Sequence, residues 1–224
     1  MKIENKVVYE YIEEYIRQIQ PKLDVQLEAL RVEAEEGHVP IVKPEVASLI
    51  LTLLAIKKPK RILEIGTAVG FSANLMCKYL ASDGEIITIE RDADMYKKAL
   101  ENIKKLNTVN KIKVIFGDAL EETTKVSGKF DVIFIDAAKG HYDIFYKSSL
   151  LLLAEEGVII ADNVLYKGLV ACEKEEIARR NRTIHKRMRS FIDMIMSNPD
   201  FESTLIPVGD GIIISKKLGF SGLN

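Results

Sequence analysis

The chain of 224 residues carries a formal net charge of −1, and apolar residues make up 47% of it. This length suits one domain with a sizeable core, and the near-neutral charge gives no global field that would steer the protein to nucleic acid. No apolar run reaches the roughly 20 residues of a membrane span, and the charged N-terminus lacks the apolar centre of a secretory signal. The two cysteines, Cys77 and Cys172, have no metal-type spacing, so we expect free thiols in a cytoplasmic protein.

The first 56 residues predict three helices. The last of these spans roughly Pro44–Ile56, after a break at "GHVPIVKP" (37–44), and has proline in its first turn. These helices are too short to form a core of their own. We therefore expect a single domain, 1–224, with an N-terminal helical cover over 1–56 and an α/β core over 57–224. The cover would lie on the sheet, flank the active site or form a dimer contact.

Five short apolar runs rich in β-branched residues alternate with helical-looking stretches of about 10 to 18 residues. This alternation predicts right-handed crossovers and a parallel sheet with helices on both faces. The runs are "RILEIG" (61–66), "EIITIE" (85–90), "KIKVIFGD" (111–118), "FDVIFID" (130–136) and "GVIIAD" (157–162).

The rhythm changes after the fifth run. A long polar helix is predicted at roughly 173–197, followed by the runs "FESTLIPVG" and "DGIIISKK". A Gly-Asp-Gly turn separates these two runs, which predicts a hairpin. The sheet would then have seven strands, mostly parallel, with the last one antiparallel.

Ligands of open α/β sheets bind beyond the carboxyl ends of the strands. After the first strand, Gly66 and Gly70 allow a tight turn and close approach of a ligand to the backbone, beside the start of a helix. Glu90 ends the second strand and can accept hydrogen bonds from ribose hydroxyls. Asp118 follows the third strand and can accept from an adenine amino group, with Ala119 donating its N–H. Together these positions favour a nucleoside-containing cofactor.

The first turn, "GTAVG", lacks the second glycine of a dinucleotide-binding turn. The pattern E-x-G-x-x-x-G resembles instead the class I S-adenosylmethionine-dependent methyltransferases, which have a Rossmann-like sheet ending in a hairpin of this kind. The resemblance implies that the turn wraps the methionine part of S-adenosylmethionine. The implied cofactor-binding residues are Val39, Glu64, Gly66, Thr67, Gly70, Ser72, Glu90, Asp118, Ala119 and Asp136.

Polar residues also end the fourth and fifth strands. Asp136 ends the fourth, and Asp162 and Asn163 end the fifth. Because neighbouring parallel strands bring their carboxyl ends together, two carboxylates and one amide oxygen would meet. Such hard oxygen ligands suit Mg²⁺ or Ca²⁺ rather than zinc. The alternative is a pair of capping residues at strand–helix junctions.

The motifs "FIDAAKGHY" and "IIADNVLYKG" resemble the metal-dependent O-methyltransferases, which include the catechol and caffeoyl-CoA O-methyltransferases. The resemblance covers nearly the whole chain. It implies that Asp136, Asp162 and Asn163 bind Mg²⁺ or another divalent cation and that Lys139 lies beside the acceptor hydroxyl. Lys139 would act as general base or stabilise the oxyanion. The acceptor would chelate the cation through two adjacent oxygens.

Two acceptor classes meet this demand: a small catechol or caffeoyl thioester, and 5-hydroxyuridine in RNA. The segment 177–191 has six cations and no acid, which suits phosphate contacts, although a solvated helix face is the plain alternative. CoA phosphates would also attract cations. The six cations, our candidate substrate or RNA contacts, are Arg179, Arg180, Arg182, Lys186, Arg187 and Arg189.

The insertion-free length, "VPIVKPEVASLI" and the Arg-rich segment are similar to bacterial members of this family, whose named representative converts 5-hydroxyuridine at the tRNA wobble position to 5-methoxyuridine. We therefore expect tRNA methylation by a homodimer, with methylation of a small catechol-type acceptor as the alternative. A non-catalytic nucleoside-binding regulatory domain is the second alternative. His141 and Tyr142 are interpreted as surface residues of the turn after the fourth strand, with contact to the substrate as the alternative.

Overall fold

The computed structural model describes residues 7–137, 140–173 and 176–219. Within these residues, seven strands form one sheet in the order β3-β2-β1-β4-β5-β7-β6. The strands are β1 Arg61–Ile65, β2 Glu85–Glu90, β3 Ile112–Phe116, β4 Phe130–Ile135, β5 Leu153–Ala161, β6 Phe201–Ile206 and β7 Ile212–Lys217.

The first five strands pair in parallel, and β7 is antiparallel to both of its neighbours, β5 and β6. The prediction of a seven-stranded, mostly parallel sheet with an antiparallel last strand is therefore confirmed. The sequence did not indicate that β7 would insert between β5 and β6. Burial explains this order, because Ile212 and Ile213 of β7 are fully buried while β6 alternates exposed residues with partly buried ones, as an edge strand does.

Eight α-helices accompany the sheet in the described residues, and none is long and apolar enough to cross a membrane. The three predicted N-terminal helices are present. The helix predicted at 173–197 is shorter, because the backbone at Ala178 is extended and Arg179–Asn181 forms a 3₁₀ turn. The helices are α1 Glu10–Ile19, α2 Val25–Glu36, α3 Pro44–Lys57, α4 Phe71–Met76, α5 Ala93–Lys105, α6 Ala119–Lys125, α7 Tyr142–Leu152 and α8 Arg182–Met196.

Alternate residues of the strands enter two hydrophobic cores, one on each face of the sheet. Ile62 of β1 packs with residues of α2, α3 and α4, whereas its neighbour Leu63 packs with residues of α7 and α8. The N-terminal helices α2 and α3 therefore share a core with the sheet. Helix α1 buries no residue and is held by charge, with Arg17 Nε 3.1 Å from a carboxylate oxygen of the buried Glu45.

Four main-chain hydrogen bonds join the strand ends where the candidate residues lie. In each, the residue that follows a strand donates its N–H to the last or near-last carbonyl of the neighbouring strand. The bonds are Gly66 to Ile89 (3.2 Å), Gly117 to Glu90 (2.9 Å), Asp136 to Ile65 (3.0 Å) and Asp162 to Ile135 (3.0 Å). The parallel register thus continues beyond the strands and fixes the polar residues at their ends.

Gly66 is expected to tolerate no side chain. Its φ is +104°, and a Cβ atom would lie 2.1 Å from the main-chain oxygen of Asp136. Gly66→Ala should therefore lower the free energy of unfolding by about 3 kcal/mol or more, measured by urea denaturation. The control is Gly37→Ala, where φ is −75° and the nearest atom to the new Cβ is 3.2 Å away. Equal stability of the two variants would contradict the close packing of β1 and β4 described above.

Candidate functional site

A cavity of about 810 Å³ opens at the carboxyl ends of the parallel strands. It brings together most of the residues that the sequence singled out, from the ends of five strands, β1 to β5, and the segments that follow them. Of the predicted cofactor and metal residues, those lining it are Gly66, Thr67, Ser72, Glu90, Asp118, Ala119, Asp136 and Asn163.

Four predicted residues lie outside the cavity lining. Val39 packs against the core, and its N–H donates to the main-chain oxygen of Ala34. The residues that follow it, Pro40–Lys43, line the cavity. Gly70 begins α4 with φ +79°. Glu64 and Asp162 are buried beneath the cavity, at 0% and 3% exposure. The predicted catalytic residue, Lys139, lies outside the described residues.

The turn after β1 is fastened to the end of β2 through Glu90. One carboxylate oxygen of Glu90 accepts the N–H of Ala68 and the other accepts the N–H of Asp92, both at 2.8 Å. The carboxylate is therefore held rigidly at the cavity, and each oxygen keeps further acceptor capacity. Asp118 is similarly fixed, because it caps α6 by accepting from the N–H of Leu120 at 2.9 Å.

Glu64 forms a buried polar chain under the same turn. The Thr88 hydroxyl donates to Glu64 Oε2 at 2.6 Å, and Thr88 and Thr67 share a hydrogen bond of 2.5 Å. Among the described residues, Glu64 Oε1 is buried without a hydrogen-bond partner of normal geometry, although the Ser72 hydroxyl is close enough to lower the carboxyl pKa. Burial outweighs these hydroxyls and raises the pKa of Glu64 to about 8. The carboxyl is therefore mostly neutral at pH 7.

Asn163 links the two carboxylates that the sequence placed together. Its Nδ2 donates to Asp136 Oδ1 at 3.0 Å, and its main-chain N–H donates to Asp162 Oδ1 at 2.7 Å. Asn163 has a φ of +59°, a conformation that asparagine adopts more readily than most residues. The three polar side chains predicted from β4 and β5 thus form one contiguous group beside the cavity.

The group fits a hard divalent cation by its chemistry, because it offers carboxylate and amide oxygens and no sulfur or imidazole. No cluster of three or more His, Cys, Asp and Glu suited to a metal occurs in the described part of the chain. The candidate group contains only two such residues, since its third member is an amide. The amide's oxygen and nitrogen exchange places when the side chain rotates by half a turn.

Tyr142 supports this group from below, which corrects its interpretation as a surface residue. It is 2% exposed, and its hydroxyl donates to the main-chain oxygen of Asp162 at 2.8 Å. Burial and the charges of Asp136 and Asp162 raise the pKa of Tyr142 well above its ordinary value, so it remains a hydrogen-bond donor. Its place three residues beyond Lys139, at the start of α7, carried no sequence signal of this role.

The far side of the cavity is lined by residues that the sequence did not predict as a group, although substrate contact is the alternative interpretation of His141. They come from the start of α3, the first turn of α7, the segment after Asn163 and the β6–β7 turn, which are remote in sequence. Only the Gly-Asp-Gly turn had a local signal, and that signal indicated a hairpin rather than a cavity wall. These residues are Lys43, His141, Phe145, Lys167, Gly209 and Asp210.

None of the six candidate cations of 177–191 lines the cavity. Arg182 and Arg189 are partly buried and donate to the main-chain oxygens of Ile177 and Val170, both at 3.0 Å. Arg187 donates to the main-chain oxygen of Gly140 at 3.0 Å, which places it beside the turn after β4. Arg179, Arg180, Lys186 and Arg187 are exposed.

Comparisons with known proteins identify the family of the chain. The model of a family described as O-methyltransferase matches residues 19–218. Caffeoyl-CoA O-methyltransferase of Stellaria longipes is 27% identical over 208 residues, which are 88% of this chain and 86% of that protein. Flavonoid 3',5'-methyltransferase of Vitis vinifera is 29% identical over 212 residues, 88% of this chain and 89% of that protein. An O-methyltransferase of Bacillus cereus, solved in complex with SAH, is 27% identical with a TM-score of 0.81, covering 92% of this chain and 97% of that one.

The buried carboxyl of Glu64 is expected to make stability depend on pH. Because its folded pKa, about 8, lies above the ordinary 4.5, its contribution is fully present below about pH 4.5 and is lost as the pH rises through about 8. Glu64→Gln removes this titration. The difference in unfolding free energy between the variant and the unaltered protein should therefore move by several kcal/mol in favour of the variant between acidic and alkaline pH. Exposed Glu101→Gln is the control and should show no such trend.

Proposed function

Because this chain belongs to the O-methyltransferase family and is an S-adenosylmethionine-dependent O-methyltransferase, we propose that its acceptor is a small catechol or caffeoyl-type molecule. The methyl group would pass to one of two adjacent oxygens that chelate a divalent cation. The observation that carries the proposal is the contiguous group Asp136–Asn163–Asp162, of which Asp136 and Asn163 line the cavity that also contains most of the predicted cofactor residues. A ligand in that cavity would meet both sets of residues.

The cofactor would lie along the ends of β1, β2 and β3. Its methionine part would follow the turn at Gly66, where the absence of a Cβ already permits contact with the backbone of Asp136. Its ribose hydroxyls would donate to Glu90, whose carboxylate is fixed by two main-chain N–H groups. Its adenine would reach Asp118 and the N–H of Ala119, which line the same end of the cavity.

The cation would be Mg²⁺ or a similar ion held by Asp136, Asp162 and Asn163. When bound, such an ion lowers the pKa of an acceptor hydroxyl and fixes its position. The protein would align the acceptor oxygen with the methyl group, since an in-line displacement at a sulfonium depends mainly on alignment. Lys139, the residue that the family resemblance assigns to this place, would take the hydroxyl proton or stabilise the oxyanion. The products are the methyl ether, S-adenosylhomocysteine and a proton.

The dimensions of the cavity support a small acceptor. Its volume of about 810 Å³ lies within the range of small-molecule sites. The similar caffeoyl-CoA and flavonoid methyltransferases bear the names of small phenolic acceptors. The cavity volume and the names of these similar enzymes therefore favour a catechol-type acceptor over RNA.

The exposed cations support a second candidate, 5-hydroxyuridine in tRNA. Arg187 lies against the turn after β4, and Arg179, Arg180 and Lys186 are exposed on the same segment. Four exposed cations on one segment would suit phosphates of a nucleic acid. Arg182 and Arg189, which donate to the chain's own carbonyls, are less suited to that task.

The first test is methyl transfer from labelled S-adenosylmethionine to catechol, caffeate and caffeoyl-CoA, each with Mg²⁺ and with EDTA. Label should appear in at least one acceptor and disappear with EDTA. Asp162→Asn, which keeps the side-chain size, should lower kcat/KM by more than about 100-fold, because a bound cation supplies several kcal/mol. Exposed Asp83→Asn is the control. Full activity in EDTA would refute the role of the cation.

A second test separates the two acceptors. If tRNA is the acceptor, the double variant Arg179→Gln, Arg180→Gln should raise the KM for tRNA bearing 5-hydroxyuridine. A plot of the logarithm of the binding constant against the logarithm of the salt concentration should become less steep, by about two units of slope. The same variant should leave methylation of catechol unchanged. If the unaltered protein labels catechol and not tRNA, the Arg-rich segment is a solvated surface.

A further inference from the structure

We propose that Lys167 selects acceptors by binding an anionic group, carboxylate or phosphate, that the acceptor carries beyond its two chelating oxygens. This inference rests on the proposed function, because it assigns the acceptor end of the same cavity. Lys167 lines that cavity four residues after Asn163, a candidate ligand of the cation. Asn163 and Lys167 therefore line the same cavity, where one bound molecule can contact both.

The backbone around Lys167 is held in an unfavourable conformation. Tyr166 and Lys167 are both left-handed, with φ of +48° and +56°, and Gly168 continues at +77°. Two successive non-glycine residues in this region are uncommon, because their Cβ atoms crowd the following carbonyl. Such strain persists only where the surrounding structure fixes it, and it concentrates at functional sites.

The β6–β7 turn supplies that fixation. The N–H groups of Val164 and Leu165 donate to the main-chain oxygens of Gly211 and Asp210, at 3.0 Å and 2.9 Å. The N–H of Lys167 donates to the Asp210 carboxylate. Gly211 packs so closely that a Cβ there would lie 2.4 Å from Leu165 Cγ. The segment that carries Lys167 is therefore locked to the sheet.

Of the two lysines among the described residues that line the cavity, Lys43 has an ion-pair partner and Lys167 has none. On this side of the cavity, Lys43 is 3.3 Å from Glu13, which also lies 3.6 Å from Arg17. Asp210 already accepts the Lys167 N–H. No hydrogen bond or ion pair joins the Lys167 ammonium to any side chain in the ranges that the structure describes.

Other charged residues that line the cavity lie at its cofactor end or belong to the candidate cation group. Arg91, Glu90 and Asp118 line the cofactor end, and Asp136 lies at the candidate cation group. His141 lines the cavity at the start of α7. Among the described residues that line this end of the cavity, an acceptor that chelates the cation and extends toward the β6–β7 turn would thus meet Lys167 as a positive charge without a side-chain partner.

The experiment compares three acceptors in the full-length protein with Mg²⁺: neutral catechol, caffeate with its carboxylate, and caffeoyl-CoA with its phosphates. Lys167→Gln should raise the KM of at least one anionic acceptor about fivefold and leave kcat and KM for catechol unchanged, because a solvated ion pair is lost. Lys167→Arg should restore the KM. Lys147→Gln, an exposed lysine on α7 outside the cavity lining, is the matched control.

If Lys167→Gln raises the KM of caffeate alone, the group that Lys167 binds is a carboxylate. If it raises the KM of caffeoyl-CoA alone, the group is a phosphate. An equal change with all three acceptors, or no change, overturns the inference while methylation of catechol by the unaltered protein still supports the proposed function. If the unaltered protein labels none of the three, the proposed function fails and the inference falls with it.

Discussion

Four main-chain hydrogen bonds between neighbouring strand ends hold the candidate site together. They carry the parallel register one residue past β1, β3, β4 and β5. As a result Gly66, Asp136 and Asp162 have fixed relative positions before any ligand binds. A shift of one residue in any of these strands would turn the polar side chain to the opposite face of the sheet. The buried isoleucines on both faces oppose such a shift, so the two hydrophobic cores also maintain the geometry of the site.

The close approach of β1 and β4 at their carboxyl ends restricts which residues can occupy the centre of the sheet. Gly66 passes so near to Asp136 that no side chain fits, and Glu64 lies fully buried beneath the turn. Glu64 is accommodated by the Thr88 hydroxyl and by remaining mostly protonated near neutral pH. A charged carboxylate there would add to the charges of Asp136 and Glu90. The turn after β1, which we propose receives the cofactor, is thus supported by a neutral acid and two hydroxyls rather than by an ion pair.

The sequence predicted the parts of the molecule whose causes are local. Apolar runs ending in Gly66, Glu90, Asp118 and Asp136 indicated strands, and a parallel sheet then placed their ends together. The insertion of β7 inside the hairpin had no local signal, because either order satisfies the Gly-Asp-Gly turn. Helix α8 began later than predicted, since the extended backbone at Ala178 interrupts a continuous polar pattern. Tyr142 resembles a turn residue in the sequence, and only the packing of α7 reveals it as a buried donor.

The two ends of the cavity differ in how they are built, and this explains why the cofactor was easier to predict than the acceptor. The cofactor end consists of strand ends and the residues directly after them. The acceptor end requires α3, the β6–β7 turn and the segment after Asn163 to meet, which only the complete fold can arrange. A substitution at Lys167 changes neither the sheet register nor the hydrogen bond from its main-chain N–H to Asp210. If Lys167 contacts the acceptor as we propose, acceptor preference can therefore change at this end while the proposed cofactor residues keep their positions.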